Sequence, residues 1–234
     1  QKLRKFCIQK KIYLMEDNCE SMGAKVGKKF TGTFGIVNTF STFFSHHIST
    51  IEGGLILTND SEIYNIILSL RSHGWTRDLE QKSYLKKNQK KYEDYCFVLP
   101  GYNLRPTNIN AAIGLEQIKK LNKFIKIRNY NHKIFKKLFK NDRRFIIQKT
   151  AHSPSSFAFT MVLTKEYLHK KNYYLSKLKK AGIEFRLITG GSFFKHPVSN
   201  YFNYKLFNGS KNVDYVHENG FFVGNHPKKL DKEL

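Results

Sequence analysis

The sequence lacks any long apolar run and any recognisable export signal. No stretch of its 234 residues approaches the roughly 20 apolar residues that cross a bilayer as a helix. The first residues, Gln1-Lys-Leu-Arg-Lys5, have neither the apolar centre nor the cleavage site of a signal peptide. We therefore expect no membrane association and predict a cytoplasmic protein.

Cysteines are also scarce. The three present, Cys7, Cys19 and Cys96, are odd in number, far apart and without paired spacing. This pattern supports neither a disulfide framework nor a zinc site. We expect reduced thiols and no bound metal.

Acidic residues are few, with 18 Asp and Glu against 41 Lys and Arg, and the net charge is +23. Such a charge attracts polyanions. However, the lysines are scattered through every segment and no nucleic-acid-binding motif is recognisable, so a nucleic-acid partner is not expected. The hydrophobic content of 40% is enough for a sizeable core, in one large domain plus part or all of a second.

The hydrophobic pattern is typical of an α/β protein. A helix is predicted over residues 1–11 and a buried strand over 12–15, followed by strands over 38–44 and 54–58. A Gly-rich turn region over 23–35 separates the first two strands.

Two further helices are predicted from their capping residues. Asp60 or Ser61 begins one that ends near Gly74, and Thr107 begins a long one whose apolar residues are expected to form a buried stripe. A polar loop is expected over 76–95.

The C-terminal part is predicted to be a smaller α/β unit. Strands over 157–163 and 183–188 flank a helix over 173–180. We expect two domains, 1–125 and 126–234, with the boundary near the end of the long helix.

Two side chains stand out near the ends of predicted strands. Asp17 follows a hydrophobic strand, where an aspartate is either a turn residue or a functional carboxylate. Ser41 lies in a strand five residues before His46, and its hydroxyl either serves the strand alone or binds an anion such as a phosphate. The edge shared by these strands is therefore a candidate site.

Four motifs occur in an order that resembles a known family. They are Glu16-Asp-Asn-Cys-Glu-Ser-Met-Gly-Ala24, Thr33-Phe-Gly35, Ser41 through Gly54, and Gly101-Tyr-Asn-Leu-Arg-Pro-Thr107. The sequence is similar to the DegT/DnrJ/EryC1/StrS sugar aminotransferases, which have the type I aspartate-aminotransferase fold and bind pyridoxal phosphate. The resemblance covers nearly the whole chain, but the family's usual opening is missing before Gln1, so we interpret the sequence as an N-terminally truncated fragment that is poorly stable alone.

The resemblance assigns roles to individual residues. It implies Asp17 at the pyridine nitrogen of the cofactor, Glu20 near the ring hydroxyl and Ser41 at the phosphate. Asn103 is implied to reach the phosphate of a neighbouring subunit's cofactor, which makes a homodimer part of the active site.

His46 stands where these enzymes have the lysine that holds the cofactor covalently. An imidazole cannot form that bond, but it can move protons near neutral pH. His46-His-Ile-Ser-Thr-Ile-Glu-Gly-Gly54, Arg71–Asp78 and Val216–His226 look most like the histidine-bearing nucleotide-sugar 3-dehydratases. His46 is thus implied to be the base in 3-dehydration of a 4-keto-6-deoxy sugar, although the sequence leaves open whether His46 or His47 faces the cofactor.

The resemblance also implies other reactants and contacts. L-glutamate would regenerate pyridoxamine phosphate, and the product would serve deoxysugar and lipopolysaccharide synthesis. Arg186, Lys195 and His217 are candidate substrate contacts in the small domain. Other histidine-bearing relatives carry an iron–sulfur cluster on four cysteines, but only Cys19 matches them, so no cluster is expected.

Two alternatives remain. One is a conventional sugar aminotransferase that makes a 4-amino sugar, in which Lys28 or Lys29 holds the cofactor. The other is a non-catalytic relative whose basic surface binds polyanions.

Overall fold

Two structural units divide the chain, Gln1–Asn122 and Lys123–Leu234. The structure is a computed structural model, and it describes residues 2–87, 95–150, 153–188 and 190–234. None of the helices described there combines the length and the apolar character that a membrane span requires.

The first unit begins with a helix and five strands. In chain order these are α1 (Lys2–Gln9), β1 (Met15–Asp17), β2 (Lys25–Val26), β3 (Lys29–Phe30), β4 (Val37–Ser41) and β5 (Gly54–Leu57). β2 and β3 form a small antiparallel hairpin. The other three strands form a mixed sheet in the order β1-β4-β5, with β1 parallel and β5 antiparallel to β4.

The first predicted strand is displaced in the structure. It starts at Met15 instead of Ile12, because the Ile12 N–H donates to the carbonyl of Cys7 (2.8 Å) and is held in the turn that follows α1. The prediction that this strand is buried is wrong, since Tyr13 is 81% and Met15 65% exposed.

The strand predicted over 38–44 ends earlier, at Ser41. The Phe43 N–H donates to the Ser41 hydroxyl (3.2 Å), and the His46 N–H donates to the Phe43 carbonyl (3.0 Å). These bonds turn the chain out of the sheet directly after Ser41.

Three helices complete the first unit: α2 (Ser61–Arg71), α3 (Tyr84–Lys87) and α4 (Asn108–Ile118). Asp60 caps α2 as predicted, because its carboxylate accepts the N–H groups of Glu62 and Ile63. Within the predicted loop over 76–95, α3 occupies residues 84–87, and residues 88–94 lie outside the described part.

The buried stripe predicted for the helix after Thr107 is wrong. Thr107 does cap α4, but Ile109 is 71%, Leu115 67% and Ile118 55% exposed. The tight contact of this helix instead involves Gly114, where an added Cβ would lie 3.1 Å from Thr50 Cγ2.

The second unit has a four-stranded antiparallel sheet. Its elements are α5 (Leu121–Leu138), which begins two residues before the unit, β6 (Phe145–Ile147), β7 (Ala158–Leu163), α6 (Lys171–Lys180), β8 (Phe185–Leu187), α7 (Lys211–Asn219) and β9 (Gly220–Gly224). The strand order is β6-β7-β9-β8. β7, α6 and β8 confirm the predicted elements of the small unit.

The core of the second unit is aromatic. Phe135 from α5 packs against Phe159 from β7 with ring centroids 4.8 Å apart, and Met161 and Phe221 join them. All four side chains are at most 6% exposed.

A buried polar network lies next to this core. Asn131 donates to Asn225 (3.2 Å) and to the Lys228 carbonyl (2.7 Å), and Asn225 donates to the Ser156 hydroxyl (3.0 Å). Ser156 in turn shares a 3.0 Å hydrogen bond with His132, whose pKa is lowered by burial and by the charge of Lys136. Hydrogen bonding offsets the cost of burying these polar groups.

Candidate functional site

Two parallel strands bring Asp17 and Ser41 to the same edge of the first sheet. Asp17 is the last residue of β1 and pairs with Thr39 of β4. Ser41, the last residue of β4, follows two positions after Thr39. The carboxyl ends of parallel strands are where α/β sheets place their ligand sites. The edge expected from the sequence is therefore present.

Asp17 is held as a carboxylate at this edge. Its Oδ1 accepts the N–H of Cys19 (3.1 Å) and the hydroxyl of Thr39 (3.3 Å). The pKa of Asp17 is lowered by hydrogen bonds from the side chain and backbone of Cys19, with smaller contributions from Thr39 and from the charge of His46, against an opposing effect of burial. An ionised carboxylate suits a partner that carries a proton on nitrogen.

His46 lies on the loop that leaves β4, close enough for its charge to act on Asp17. Its ring packs edge-on against Phe43, with centroids 6.0 Å apart. The next residue, His47, is only 1% exposed, whereas His46 is partly exposed. Of the two histidines, His46 is thus the more exposed one.

Ser41 and Glu20 add two possible hydrogen-bond donors to the edge that carries Asp17. The Ser41 hydroxyl oxygen accepts the N–H of Phe43, which leaves its hydrogen available for donation. The pKa of Glu20 is raised by partial burial and by the charge of Asp17. Glu20 is consequently easier to protonate than Asp17, and a protonated carboxyl group can donate a hydrogen bond.

Cys19 is a neutral thiol at physiological pH. Burial, followed by hydrogen bonding to Asp17 and the charge of Asp17, raises its pKa to about 11. Thiolates are the form that binds metals and attacks electrophiles. Within the described ranges, no three His, Cys, Asp or Glu side chains form a group that could hold a metal ion.

Glu16 organises the loop before β4, a role that was not predicted. Its Oε1 accepts the N–H of Gly32 (2.9 Å), and its Oε2 accepts those of Phe34 (2.6 Å) and Gly35 (2.7 Å). A carboxylate with three backbone donors fixes the path of the chain into β4. The only sequence signal was a second acidic residue next to Asp17.

Asn103 lies on an exposed segment that runs against the end of α2. The Tyr102 N–H donates to the Leu70 carbonyl (2.6 Å), the Leu104 N–H donates to the Arg71 carbonyl (2.9 Å), and Asn103 forms a β-bridge with Ser72. The backbone around Asn103 is thus fixed while its side chain remains exposed.

In the second unit, two contacts join α7 to the segment that precedes it, and they involve His217 and Lys195. His217 Nδ1 accepts the N–H of Ser192 (3.1 Å), and Lys195 pairs with Glu218. That ion pair raises the pKa of Lys195. Arg186 is exposed on β8 and lies 3.9 Å from Glu184. His217 and Glu218, the partner of Lys195, are thus neighbours on α7, whereas Arg186 lies on the sheet.

The two units define a protein with the fold of the pyridoxal-phosphate-dependent aminotransferases. A model of the DegT/DnrJ/EryC1/StrS aminotransferase family matches residues 1–221, and the chain belongs to this family.

Similar proteins include several 3-dehydratases. GDP-4-keto-6-deoxy-D-mannose 3-dehydratase of Escherichia coli O55:H7 is 44% identical over 227 residues, which is 95% of this chain and 58% of that protein. A solved structure of such an enzyme with a trapped PLP-glutamate geminal diamine matches with a TM-score of 0.91 at 43% identity, over 99% of this chain and 61% of that one. A structure of a histidine-to-asparagine mutant with bound GDP-perosamine matches with a TM-score of 0.88 at 42% identity, over 99% and 61%. The chain spans about three fifths of these relatives.

Proposed function

We propose that this protein catalyses the 3-dehydration of a nucleotide-linked 4-keto-6-deoxy sugar, with pyridoxamine phosphate as cofactor and His46 as the base. The observation that carries the proposal is a histidine on the loop that leaves β4, at the sheet edge that holds Asp17 and Ser41, where its charge lowers the pKa of Asp17. The names of the most similar proteins support the same reaction and favour a GDP-linked sugar.

The residues at the sheet edge suit this cofactor. Asp17 is an ionised carboxylate that would hold a proton on the pyridine nitrogen, and Ser41 offers a hydroxyl to the phosphate. Glu20, with its raised pKa, can donate to the ring oxygen when it is protonated. When bound, the amine form of the cofactor supplies an amine that reacts with the sugar ketone and a ring that accepts electrons.

His46 would move the protons of the reaction. As the base it would accept a proton next to the bound cofactor amine, and as an acid it would give a proton to the 3-hydroxyl oxygen as that group leaves. An imidazole can act in both directions near neutral pH. Because an imidazole cannot form the covalent bond that a lysine forms with the cofactor, the role proposed for His46 is proton transfer alone.

The proposal includes two small-molecule reactants and a second subunit. L-glutamate would restore the amine form of the cofactor, in line with the relative that holds a PLP-glutamate adduct. A homodimer would place the exposed Asn103 of one subunit at the phosphate in the other. Arg186, Lys195 and His217 remain proposed contacts of the substrate or of glutamate.

The alternative lysines have a less suitable position. Lys29 lies on β3 and Lys28 in the turn before it, and both are exposed in the small hairpin. His46, in contrast, acts electrostatically on Asp17. The geometry therefore favours the histidine-based reaction.

Product analysis tests the proposed function. The complete gene product is incubated with pyridoxamine phosphate, L-glutamate and GDP-4-keto-6-deoxy-D-mannose, and the products are identified by mass spectrometry and NMR. We expect a 3-deoxy-4-keto sugar, and we expect His46→Asn to lower the rate by at least about 10²-fold. A 4-amino sugar as the main product, or an unchanged rate in His46→Asn, would contradict the proposal.

A further inference from the structure

The loop that carries His46 is closed at its base by two threonines. The Thr42 and Thr50 hydroxyls are hydrogen-bonded at 2.7 Å, the Thr50 N–H donates to the Thr42 carbonyl (2.8 Å), and the Thr42 N–H donates to the Gly53 carbonyl (3.0 Å). Both threonines are at most 8% exposed. The position of His46 thus depends on this closure.

The closure contains backbone that ordinary residues avoid. Ile51 has a φ of 73° and Gly53 a φ of 148°. A β-branched residue in the left-handed region is strained and persists only where its surroundings hold it. At Gly53 any Cβ would lie 2.7 Å from the Thr50 hydroxyl oxygen and 2.8 Å from that of Thr42.

Asn110 of α4 holds the strained residue from both sides. Its Nδ2 donates to the carbonyl of Thr50 at 2.6 Å and to that of Glu52 at 3.3 Å, the two residues that flank Ile51. One amide group thus bridges the two carbonyls that flank the left-handed residue Ile51.

Asn110 is itself oriented by the cap of its helix. The Thr107 hydroxyl donates to the Asn110 side-chain oxygen and accepts the Asn110 N–H (3.3 Å). One turn further along α4, Gly114 allows the helix to approach Thr50, since an added Cβ would lie 3.1 Å from the Thr50 methyl group. The amide of Asn110 is thus fixed with its donor directed at the loop.

We propose that Asn110 is a positioning residue for His46: it holds the loop of residues 42–53 in the closed form that keeps the imidazole beside Asp17. It touches neither the reacting atoms nor the cofactor and acts through the Thr50 and Glu52 carbonyls. The proposal rests on the function proposed above for His46. It adds that the position of His46 depends on Asn110, which is 60 residues away from Thr50 in the sequence.

The test replaces Asn110 with Asp in the complete gene product. Aspartate has nearly the same shape, but its carboxylate has no N–H to donate and repels the carbonyls. Asn110→Ala is the second variant, in case Asn110→Asp fails to fold. The control is Asn108→Ala, an exposed asparagine on the same helix for which no side-chain bond is described.

Two measurements are made on each variant. The first is hydrogen exchange at the Thr42 and Thr50 amides, which form the closure. The loss of a hydrogen bond that leaves its partner unsatisfied shifts an equilibrium by about tenfold or more. We therefore expect these amides to exchange at least about tenfold faster in both Asn110 variants than in the wild type. In Asn108→Ala we expect the wild-type exchange rate. The second is steady-state kinetics, where we expect kcat to fall at least about tenfold while KM for the nucleotide sugar changes less than about threefold.

A third variant separates positioning from general destabilisation. Glycine adopts a positive φ without strain, so Ile51→Gly lessens the need for Asn110. We expect the kcat loss on Asn110→Ala to be smaller in an Ile51→Gly background. An equal loss in both backgrounds, or unchanged exchange at Thr42 and Thr50, overturns the proposal.

The failure of the proposed function would have a different signature. If the wild type forms no 3-deoxy sugar but the Asn110 variants still open the loop, then the dehydratase proposal fails and the structural role of Asn110 stands. If the wild type dehydrates the sugar but exchange at Thr42 and Thr50 is unchanged in the Asn110 variants, only the positioning role is wrong.

Discussion

The two units of this chain differ in how completely they bury their own apolar residues. In the second, Phe159, Phe221 and Leu163 are at most 1% exposed and lie on central strands of a four-stranded sheet. In the first, β5 exposes Leu55, Ile56 and Leu57 by 45–52%. The second unit has a core of its own, whereas the outer strands β1 and β5 of the first sheet are mostly exposed.

The two units also differ in the kind of contact that stabilises them. The second relies on apolar burial and on its Asn131–Asn225 network. In the first, many of the fixed contacts are polar and lie around the site, such as the Glu16 contacts with residues 32–35 and the bond between Thr42 and Thr50. A sheet with exposed apolar strands is stabilised when other segments cover it. The exposed side chains of β5 are therefore a surface where apolar cover would add stability.

The largest expected effect is a truncation in the core of the second unit. Phe159→Ala should cost about 3–5 kcal/mol, because Phe159 is 1% exposed and its ring packs on Phe135. Leu55→Ala on the exposed strand of the first unit should cost less than about 1 kcal/mol. Urea unfolding of each variant measures both, and equal costs would contradict the contrast between the units.

A smaller effect is expected at Glu16 in the first unit. Glu16→Gln replaces one acceptor oxygen with a donor, so at least one of the loop N–H groups loses its partner, at a cost on the order of 1–3 kcal/mol. Glu116→Gln is the control, because Glu116 forms an exposed pair with Lys119, and such pairs contribute at most about 1 kcal/mol. If both variants unfold at the same urea concentration, the three bonds to Glu16 do not stabilise the unit.

The smallest effect concerns acid stability. Hydrogen bonds from the Arg144 side chain lower the pKa of Asp142 below its usual 3.8, with burial opposing them. A carboxylate with a lowered pKa in the folded state stabilises it above the unfolded pKa, and this contribution is lost as the pH falls through the folded value.

We therefore expect Asp142→Asn to flatten the loss of stability between about pH 4 and pH 2, as measured by urea unfolding at a series of pH values. Asp78→Asn serves as the control, since Asp78 is an exposed residue 3.7 Å from Arg77. If the free energy of unfolding of Asp142→Asn falls as steeply with decreasing pH as that of the wild type, the stabilising role of Asp142 is wrong.

Local signals in the sequence were sufficient for some features. The helix cap at Asp60 could be predicted because its bonds go to residues two and three positions ahead. The shared edge of Asp17 and Ser41 followed from the rule that parallel strands end on the same side. These features depend on short-range geometry or on a general property of sheets.

Other features depend on contacts between distant residues. The apolar pattern on α4 predicted a buried stripe, but α4 contacts the loop of residues 42–53 through Asn110 and Gly114. The loop presents backbone carbonyls, which need an N–H donor, and it lies so close that a side chain at position 114 would crowd Thr50. The bonds of Glu16 to residues 32–35 span 16 to 19 positions and leave no periodic signal. The difference in exposure between His46 and His47 depends on how the loop packs, which the sequence does not reveal.

Covalent trapping tests most directly whether His46 occupies the place of the cofactor lysine. The complete gene product and its His46→Lys variant are treated with pyridoxal phosphate and borohydride, and the labelled peptides are identified by mass spectrometry. Our account predicts a cofactor adduct at position 46 in the variant and no specific lysine adduct in the wild type. A wild-type protein labelled stoichiometrically at Lys28 or Lys29, or a variant that remains unlabelled at position 46, would contradict it.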